Sequence, residues 1–124
     1  MKKLLLYWIP LIIYLVLIFY FSSLPRIELV EVIPQIILKD KLLHVIEYSI
    51  LSILFYRTFN QYKNIKAITV QLAITFTIIY GLTDEFHQLF VPGRFFSIID
   101  LLADSIGSCS VLIVNFFYKH LKKV

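Results

Sequence analysis

Polar and ionisable side chains recur at intervals of three or four residues in three segments of the sequence, which places each set on one face of a helix. An imidazole and a carboxylate at this spacing can share acid and base roles or hold a divalent metal ion. The three sets, in chain order, are Lys41, His44, Glu47 and Tyr48; Asp84, His87 and Gln88; and Ser97, Asp100 and Asp104. We predict five catalytic candidates: His44, Glu47, Asp84, His87 and Asp104. The first four are the expected ligands if a divalent metal is the cofactor.

Two non-catalytic interpretations compete with this prediction. Near the end of a membrane helix, Lys41 would extend to the interface, and Asp84 and Glu85 would cap the helix in the headgroup region, an interpretation that suits Lys41 and Glu85 best. Glu47 and Asp104 lie deeper, more than one helical turn inside apolar segments, where an ionised side chain costs about 2.5–3.5 kcal/mol. For these deeper groups the alternative is a structural latch, in which His44 and the acids join three helices by hydrogen bonds.

The segment FVPGRFFS, at residues 90–97, joins the second and third polar sets. Pro92 and Gly93 suit the two central positions of a type II turn, so we expect the chain to reverse sharply here. Arg94 would then lie beside the acids, either as their counter-ion or as a ligand for a phosphate or carboxylate group. The predicted substrate-binding set is Lys41, Tyr48, Glu85, Gln88, Arg94, Ser97 and Asp100.

The composition indicates that membrane helices position these residues. Of the 124 residues, 60% are hydrophobic and 16% charged, whereas soluble domains have about 45–50% apolar and roughly 25% charged residues. Four apolar segments are each long enough to cross a bilayer, at residues 4–21, 42–59, 67–87 and 98–118. No segment alternates with period two, which argues against a β-barrel. We predict one all-α domain over residues 1–124, an integral membrane antiparallel bundle of four transmembrane helices.

The basic residues predict which side of the membrane each end of the bundle faces. Most of them flank the same ends of the predicted helices: Lys2, Lys3, Arg57, Lys63, Lys66, Lys119, Lys122 and Lys123. Positive flanks mark the cytoplasmic side, so we expect both termini inside and the polar site outside. The net charge of +4 is thereby explained by topology, without nucleic-acid binding. The apolar loop at 22–40 is predicted to lie on the outer membrane surface.

Small residues continue two of the polar faces toward the middle of the bundle. Ala73, Thr77 and Gly81 precede Asp84 at helical spacing, and Gly107 follows the third polar set. Small residues mark places where membrane helices approach one another closely. The polar faces are therefore expected to point into the bundle and away from lipid.

The polar segments closely resemble the VanZ-like family of small membrane proteins. The resemblance rests on DKLLHVIEY at residues 40–48, on YGLTDEFHQLFVPGRFFSIIDLLAD at residues 80–104, and on Gly107. It implies a bacterial cytoplasmic-membrane protein related to one associated with low-level resistance to the glycopeptide teicoplanin. The matching positions are Lys41, His44, Glu47, Tyr48, Asp84, Glu85, His87, Gln88, Pro92, Gly93, Arg94, Ser97, Asp100 and Asp104.

Three functions are compatible with these residues. In the first, an outward-facing His/Glu/Asp/Arg pocket engages a cell-envelope ligand, either lipid-linked or a peptidoglycan precursor. In the second, the same pocket is a membrane-embedded hydrolase or transferase that acts on an outer-leaflet substrate by acid/base or metal-assisted catalysis. Transport ranks last, because the inner halves of the spans offer no ionisable group except Cys109 to line a path. The expected partners are the lipid bilayer and the envelope ligand.

Overall fold

The computed structural model describes the backbone of residues 1–25 and 34–121 and the side chains of residues 1–25 and 40–121. Within these residues the chain is helical and contains no strand. A π-helical turn at Leu4–Trp8 leads into α1 at Ile9–Ser22, and a 3-10 helix at Lys63–Ile68 leads into α3. The other helices are α2 at Pro34–Phe59, α3 at Thr69–Gln88, α4 at Ile98–Ser108 and α5 at Ser110–Leu121.

Four helical segments of the described chain are long and apolar enough to cross a membrane. They are Leu4–Ser22, Asp40–Phe59, Lys63–Gln88 and Ile98–Leu121. The predicted all-α architecture with four spans is therefore confirmed. The antiparallel order of the spans and the cytoplasmic side of the termini stay predictions.

The second helix begins earlier than the apolar pattern indicates. It starts at Pro34, whereas the predicted span starts at residue 42. Proline suits the first turn of a helix because the N–H it lacks would have no partner in the helix there. The surface segment predicted at 22–40 thus ends within α2, and its residues 26–33 lie outside the described residues.

The fourth span is interrupted at Cys109, where the sequence predicts a continuous helix. Serine hydroxyls bond to the carbonyls of their own helix on the approach to this point, from Ser105 Oγ to Leu101 O at 2.7 Å and from Ser108 Oγ to Ser105 O at 2.6 Å. Such bonds compete with the helical pattern and bend helices. Cys109 N–H correspondingly donates to the carbonyl of Ile106, three residues back, over 3.1 Å.

The helix packing brings α2, α3 and α4 close together. A Cβ atom at Gly107 would lie 2.4 Å from the backbone oxygen of Val45, so only glycine permits this approach of α4 to α2. Ala73, Thr77 and Gly81 on α3 are buried, as the row of small residues predicts. Close contact between these three helices determines which polar side chains can meet at the end of the bundle that carries Lys41, Gln88 and Ser97, here called the polar end.

Candidate functional site

His44 and Asp104 form the centre of the polar end. The ring Nδ1 of His44 on α2 lies 2.9 Å from Oδ1 of Asp104 on α4, and the Asp104 side chain is 0% exposed. The ring of His44 lies nearly parallel to that of Tyr48, at a centroid distance of 6.4 Å. These two side chains, from the predicted polar faces of α2 and α4, thus meet in the folded bundle.

Gly81 on α3 leaves the space that Asp104 occupies. A Cβ atom at this position would lie 3.0 Å from Asp104 Oδ2 and 3.1 Å from a ring carbon of Tyr48. Any side chain at 81 would press on both residues. The row of small residues thus ends at the space that the buried Asp104 carboxylate fills.

Glu85 is fully buried, with 0% of the residue exposed. The prediction that it caps a helix end in the headgroup region is therefore wrong. Its Oε2 accepts a hydrogen bond from the backbone N–H of Ser97 at 2.7 Å, and Ser97 Oγ in turn accepts from the N–H of Asp100 at 3.2 Å. Ser97 is the N-cap of α4, so Glu85 fixes the start of α4 against α3. The interpretation failed because Glu85 follows Asp84 directly, and helical spacing alone places only one of two adjacent residues on a given face.

Several buried oxygen atoms of the polar end have no hydrogen-bond partner among the residues that the structure describes. They are Tyr48 OH, Asp84 Oδ1, Glu85 Oε1 and Asp104 Oδ2. Buried polar atoms in folded proteins are nearly always satisfied, so each exception requires an explanation. Four of them at one end of a small bundle leave hydrogen-bonding capacity that no described residue uses.

Two groups of side chains at the polar end have the geometry to hold a metal ion. In each group one ligand atom per residue lies within 4.8 Å of the others. One group is His44, Glu85 and Asp104, and the other is Asp40, His44 and Asp100. Neither group includes Glu47, Asp84 or His87, so the structure assembles a different set from the one predicted around His44.

Lys41 is held inside the polar end by acids. Its ammonium group forms a close ion pair with Asp100 and lies 3.3 Å from Asp40 Oδ2, and its side chain is 23% exposed. The sequence offered extension to the membrane surface or substrate binding for this lysine. The ion pair with Asp100 is the contact that the structure contains.

Asp84 and Gln88 share a face of α3, as their spacing predicts. The Gln88 side-chain amide donates to Asp84 Oδ2 and to Ser22 Oγ, both at 3.1 Å. These bonds connect α3 to the end of α1. Ser22 was not predicted as part of the site, although a polar residue that closes an apolar span is a signal that could have identified it.

His87 contacts the end of α1. Its Nε2 lies 2.9 Å from Ser23 Oγ, and its ring packs against Phe19 at a centroid distance of 4.5 Å. His87 lies three residues beyond Asp84, which is slightly less than one helical turn. The two side chains therefore leave α3 in different directions, and that of His87 reaches α1. His44 is therefore the histidine that remains with the buried acids.

Glu47 is half-buried, one helical turn beyond His44 on α2. Its backbone carbonyl accepts a hydrogen bond from Tyr14 OH at 3.1 Å. Its carboxylate forms no hydrogen bond or ion pair with the described side chains or backbone. Among the catalytic candidates, Glu47 thus has a carboxylate without a hydrogen-bond or ion-pair partner among the described residues.

Arg94 closes the end of α1. Its Nε donates to the carbonyl of Leu24 at 3.0 Å and its Nη2 to that of Phe21 at 3.1 Å, and it forms no ion pair with a described acid. The last carbonyls of a helix have no partner within it, so a guanidinium there satisfies them. The turn that delivers Arg94 is the predicted type II turn, because Gly93 has φ 75° and Arg94 N–H donates to Val91 O at 3.1 Å.

An apolar groove of about 430 Å³ runs between α2 and α4 beside the polar end. Leu42, Val45 and Leu102 are among its lining residues, and Lys41 supplies the charged group. The groove is thus apolar, and the ammonium group of Lys41 lies beside it in ion pairs with Asp100 and Asp40.

A model of a family described as VanZ/LLP1 matches residues 7–118, which include every described residue of the polar end. No curated protein and no solved structure matches the chain.

Proposed function

Since the chain belongs to the VanZ/LLP1 family of membrane proteins, we propose that its polar end engages a cell-envelope or lipid-linked substrate. In this proposal the polar end faces the outside of the bacterial cytoplasmic membrane, where such substrates are exposed. The relation of the family to glycopeptide resistance makes altered teicoplanin susceptibility the corresponding phenotype.

The observation that carries the proposal is the set of buried oxygens around Glu85 and Asp104 that find no hydrogen-bond partner among the residues the structure describes. A structural latch stabilises a bundle by pairing its polar groups, and each unpaired buried group costs about 1–3 kcal/mol. Ionisable groups are also expensive inside membrane proteins and usually mark functional sites. A ligand that supplies the missing partners accounts for this arrangement better than a latch does.

The groove between α2 and α4 favours a lipid-linked substrate. Its apolar wall suits an acyl or isoprenoid chain. The ammonium group of Lys41, which pairs with Asp100 and Asp40 beside the groove, would be the partner for a phosphate group. A phosphate there would share the lysine with Asp100, or replace that partner. The chain of the lipid would then lie along α2 and α4, with its headgroup beside His44.

A second candidate function is acid/base or metal-assisted hydrolysis or group transfer at the same site. The specific observation in its favour is the pairing of His44 with Asp104, one helical turn from Glu47, whose carboxylate has no partner within the described part of the chain. A carboxylate that accepts Nδ1–H orients an imidazole and leaves Nε2 to exchange protons with a substrate. Glu47 would act as the second acid or base. Transport ranks below both functions.

The proposal is tested by the phenotype of conservative variants in a bacterial host that lacks its own copy of the gene. We expect Asp104→Asn and Glu85→Gln to abolish the effect of the protein on teicoplanin susceptibility while membrane abundance stays at the wild-type level. The matched control is His87→Gln, because His87 contacts Ser23 and belongs to neither group with metal-binding geometry. Wild-type phenotypes for both Asp104→Asn and Glu85→Gln, at equal abundance, would overturn the proposal.

A further inference from the structure

We infer that His44, Glu85 and Asp104 form a binding site for one divalent transition-metal ion. The inference concerns the same site as the proposed function, but it depends on no substrate and is tested by ion binding alone. The two can therefore fail separately: a protein that binds no ion can still engage an envelope ligand, and a metal site can exist without any effect on susceptibility.

The first argument is the position of the ligand atoms. One atom from each of the three residues lies within 4.8 Å of the other two. Bonds of about 2.0–2.2 Å to Zn²⁺ separate two ligand atoms by at most about 4.4 Å, so small side-chain movements bring the group to coordination distance. The three residues come from three different helices, and each helix is held in place by its packing.

The second argument is the unsatisfied state of two of these ligands. Glu85 Oε1 and Asp104 Oδ2 are the oxygens without a hydrogen-bond partner among the described residues, and both side chains belong to residues that are 0% exposed. The other oxygen of each carboxylate is used, by Ser97 N–H and by His44 respectively. Each carboxylate thus has one oxygen in a contact with the protein and a second oxygen without one among the described residues. Because one nitrogen cannot both donate a hydrogen to Asp104 and bind an ion, coordination through Nδ1 of His44 would place the imidazole proton on Nε2 and leave Asp104 to the ion.

The third argument is charge. Two ionised carboxylates this close repel each other, and burial in a low-dielectric environment makes both expensive. A divalent cation between them cancels both charges, and the neutral imidazole adds a ligand without adding charge. Lys41 does not neutralise Glu85 and Asp104, because its ammonium group is paired with Asp100 and Asp40.

The other group with metal-binding geometry is the weaker site for the same reason. Asp100 and Asp40 already contact the Lys41 ammonium group, so an ion bound between them would meet a positive charge. Glu85 and Asp104 have no such neighbour in the described contacts. We therefore assign the ion to the deeper group.

The ligand set indicates the kind of ion. One imidazole and two carboxylates suit first-row divalent metals such as Zn²⁺ or Mn²⁺, whereas Mg²⁺ and Ca²⁺ prefer sites built from oxygen alone. Three protein ligands leave at least one coordination position for water or a substrate atom, as in catalytic zinc sites. An ion bound here would therefore also allow the polar end to bind an anionic group of a ligand.

The test is direct ion binding to the purified protein in detergent, with any affinity tag removed. Titration with Zn²⁺ is expected to give one ion per chain, and elemental analysis after dialysis measures the same stoichiometry. We expect His44→Gln, Glu85→Gln and Asp104→Asn each to weaken Zn²⁺ binding at least about tenfold. Mg²⁺ at equal concentration is expected not to compete.

Two matched variants keep the test specific. Ser52→Ala changes a buried hydroxyl outside the polar end, and His120→Gln changes a histidine in the last helix that contacts the backbone carbonyl of Phe116. Both are expected to bind Zn²⁺ within about threefold of the wild type, since changes outside a site usually act weakly. A wild-type protein that binds no stoichiometric Zn²⁺ or Mn²⁺ overturns the inference, as does equal weakening by the two control variants. If a ligand variant does not fold, the wild-type stoichiometry and the remaining ligand variants decide.

Discussion

His44 and Asp104 lie 60 residues apart in the chain, yet the imidazole Nδ1 is 2.9 Å from the carboxylate Oδ1 in the folded bundle. The contact depends on Gly107, which allows α4 to approach the backbone of α2, and on Gly81, which leaves room for the carboxylate. The close packing at these two glycines is therefore also what brings the side chains of the polar end together.

Gly107→Ala is expected to destabilise the bundle. The new methyl group would lie 2.4 Å from Val45 O, so α4 must move away from α2. Overpacking of this kind costs about 1–3 kcal/mol, and a lower midpoint of thermal unfolding in detergent would measure it. The neighbouring variant Ile106→Ala is the control, because Ile106 is 64% exposed. An unchanged midpoint for Gly107→Ala would contradict the close approach of the two helices.

Glu85→Ala and Glu85→Gln are expected to differ in stability. Alanine removes the acceptor of the Ser97 N–H and leaves that donor unpaired at the start of α4, at a cost of about 1.5–3 kcal/mol for a bond to a charged group. Glutamine keeps an acceptor oxygen and is expected to retain most of the stability. Thr83→Ala, on the exposed face of α3, is the control in the same unfolding assay. Equal stability of both Glu85 variants would mean that the bond to Ser97 does not secure α4.

Arg94→Ala is expected to loosen the end of α1. It removes the two hydrogen bonds to the carbonyls of Leu24 and Phe21, so backbone hydrogen exchange at residues 19–24 should become faster. Arg94→Lys is expected to restore this protection only in part, because a single ammonium group does not reproduce the geometry of a guanidinium. Loss of teicoplanin response with unchanged hydrogen exchange would instead identify Arg94 as a ligand-binding residue.

Cysteine labelling tests the predicted orientation. In a Cys109→Ser background, Phe95→Cys introduces a thiol at a position that is 73% exposed in the connection between α3 and α4. If the polar end faces outward, a membrane-impermeant maleimide should label this variant on intact cells. Asn64→Cys, before α3, should react only after permeabilisation. The opposite pattern would place the polar end on the cytoplasmic side.

Leu102→Trp tests the groove as the place of a lipid chain. Leu102 lines the groove and is 58% exposed, so tryptophan is expected to fill part of the space without disturbing the core. We expect this variant to change teicoplanin susceptibility much less than the wild-type protein does, at equal membrane abundance. Ile113→Trp, at a position on α5 that is 62% exposed, is the matched control and should remain active. Full activity of Leu102→Trp would count against a substrate held in this groove.

The sequence by itself determined the features that depend on local spacing and composition. Apolar length identified four spans, helical intervals identified the polar faces, and Pro92-Gly93 identified the type II turn. The burial of Ala73, Thr77 and Gly81 follows from the same reasoning, because small residues at helical spacing mark a contact face. Each of these properties is set within one helix or one turn.

Only the tertiary structure decided which polar atoms meet. Helical spacing groups His87 with Asp84, but the rotation of α3 against α1 turns His87 toward Ser23. Arg94 satisfies the end of α1, and Glu85 is buried against the start of α4. A one-dimensional spacing cannot specify these partners, because they depend on how far each helix is rotated and which helix ends lie side by side. Packing across the bundle sets both quantities.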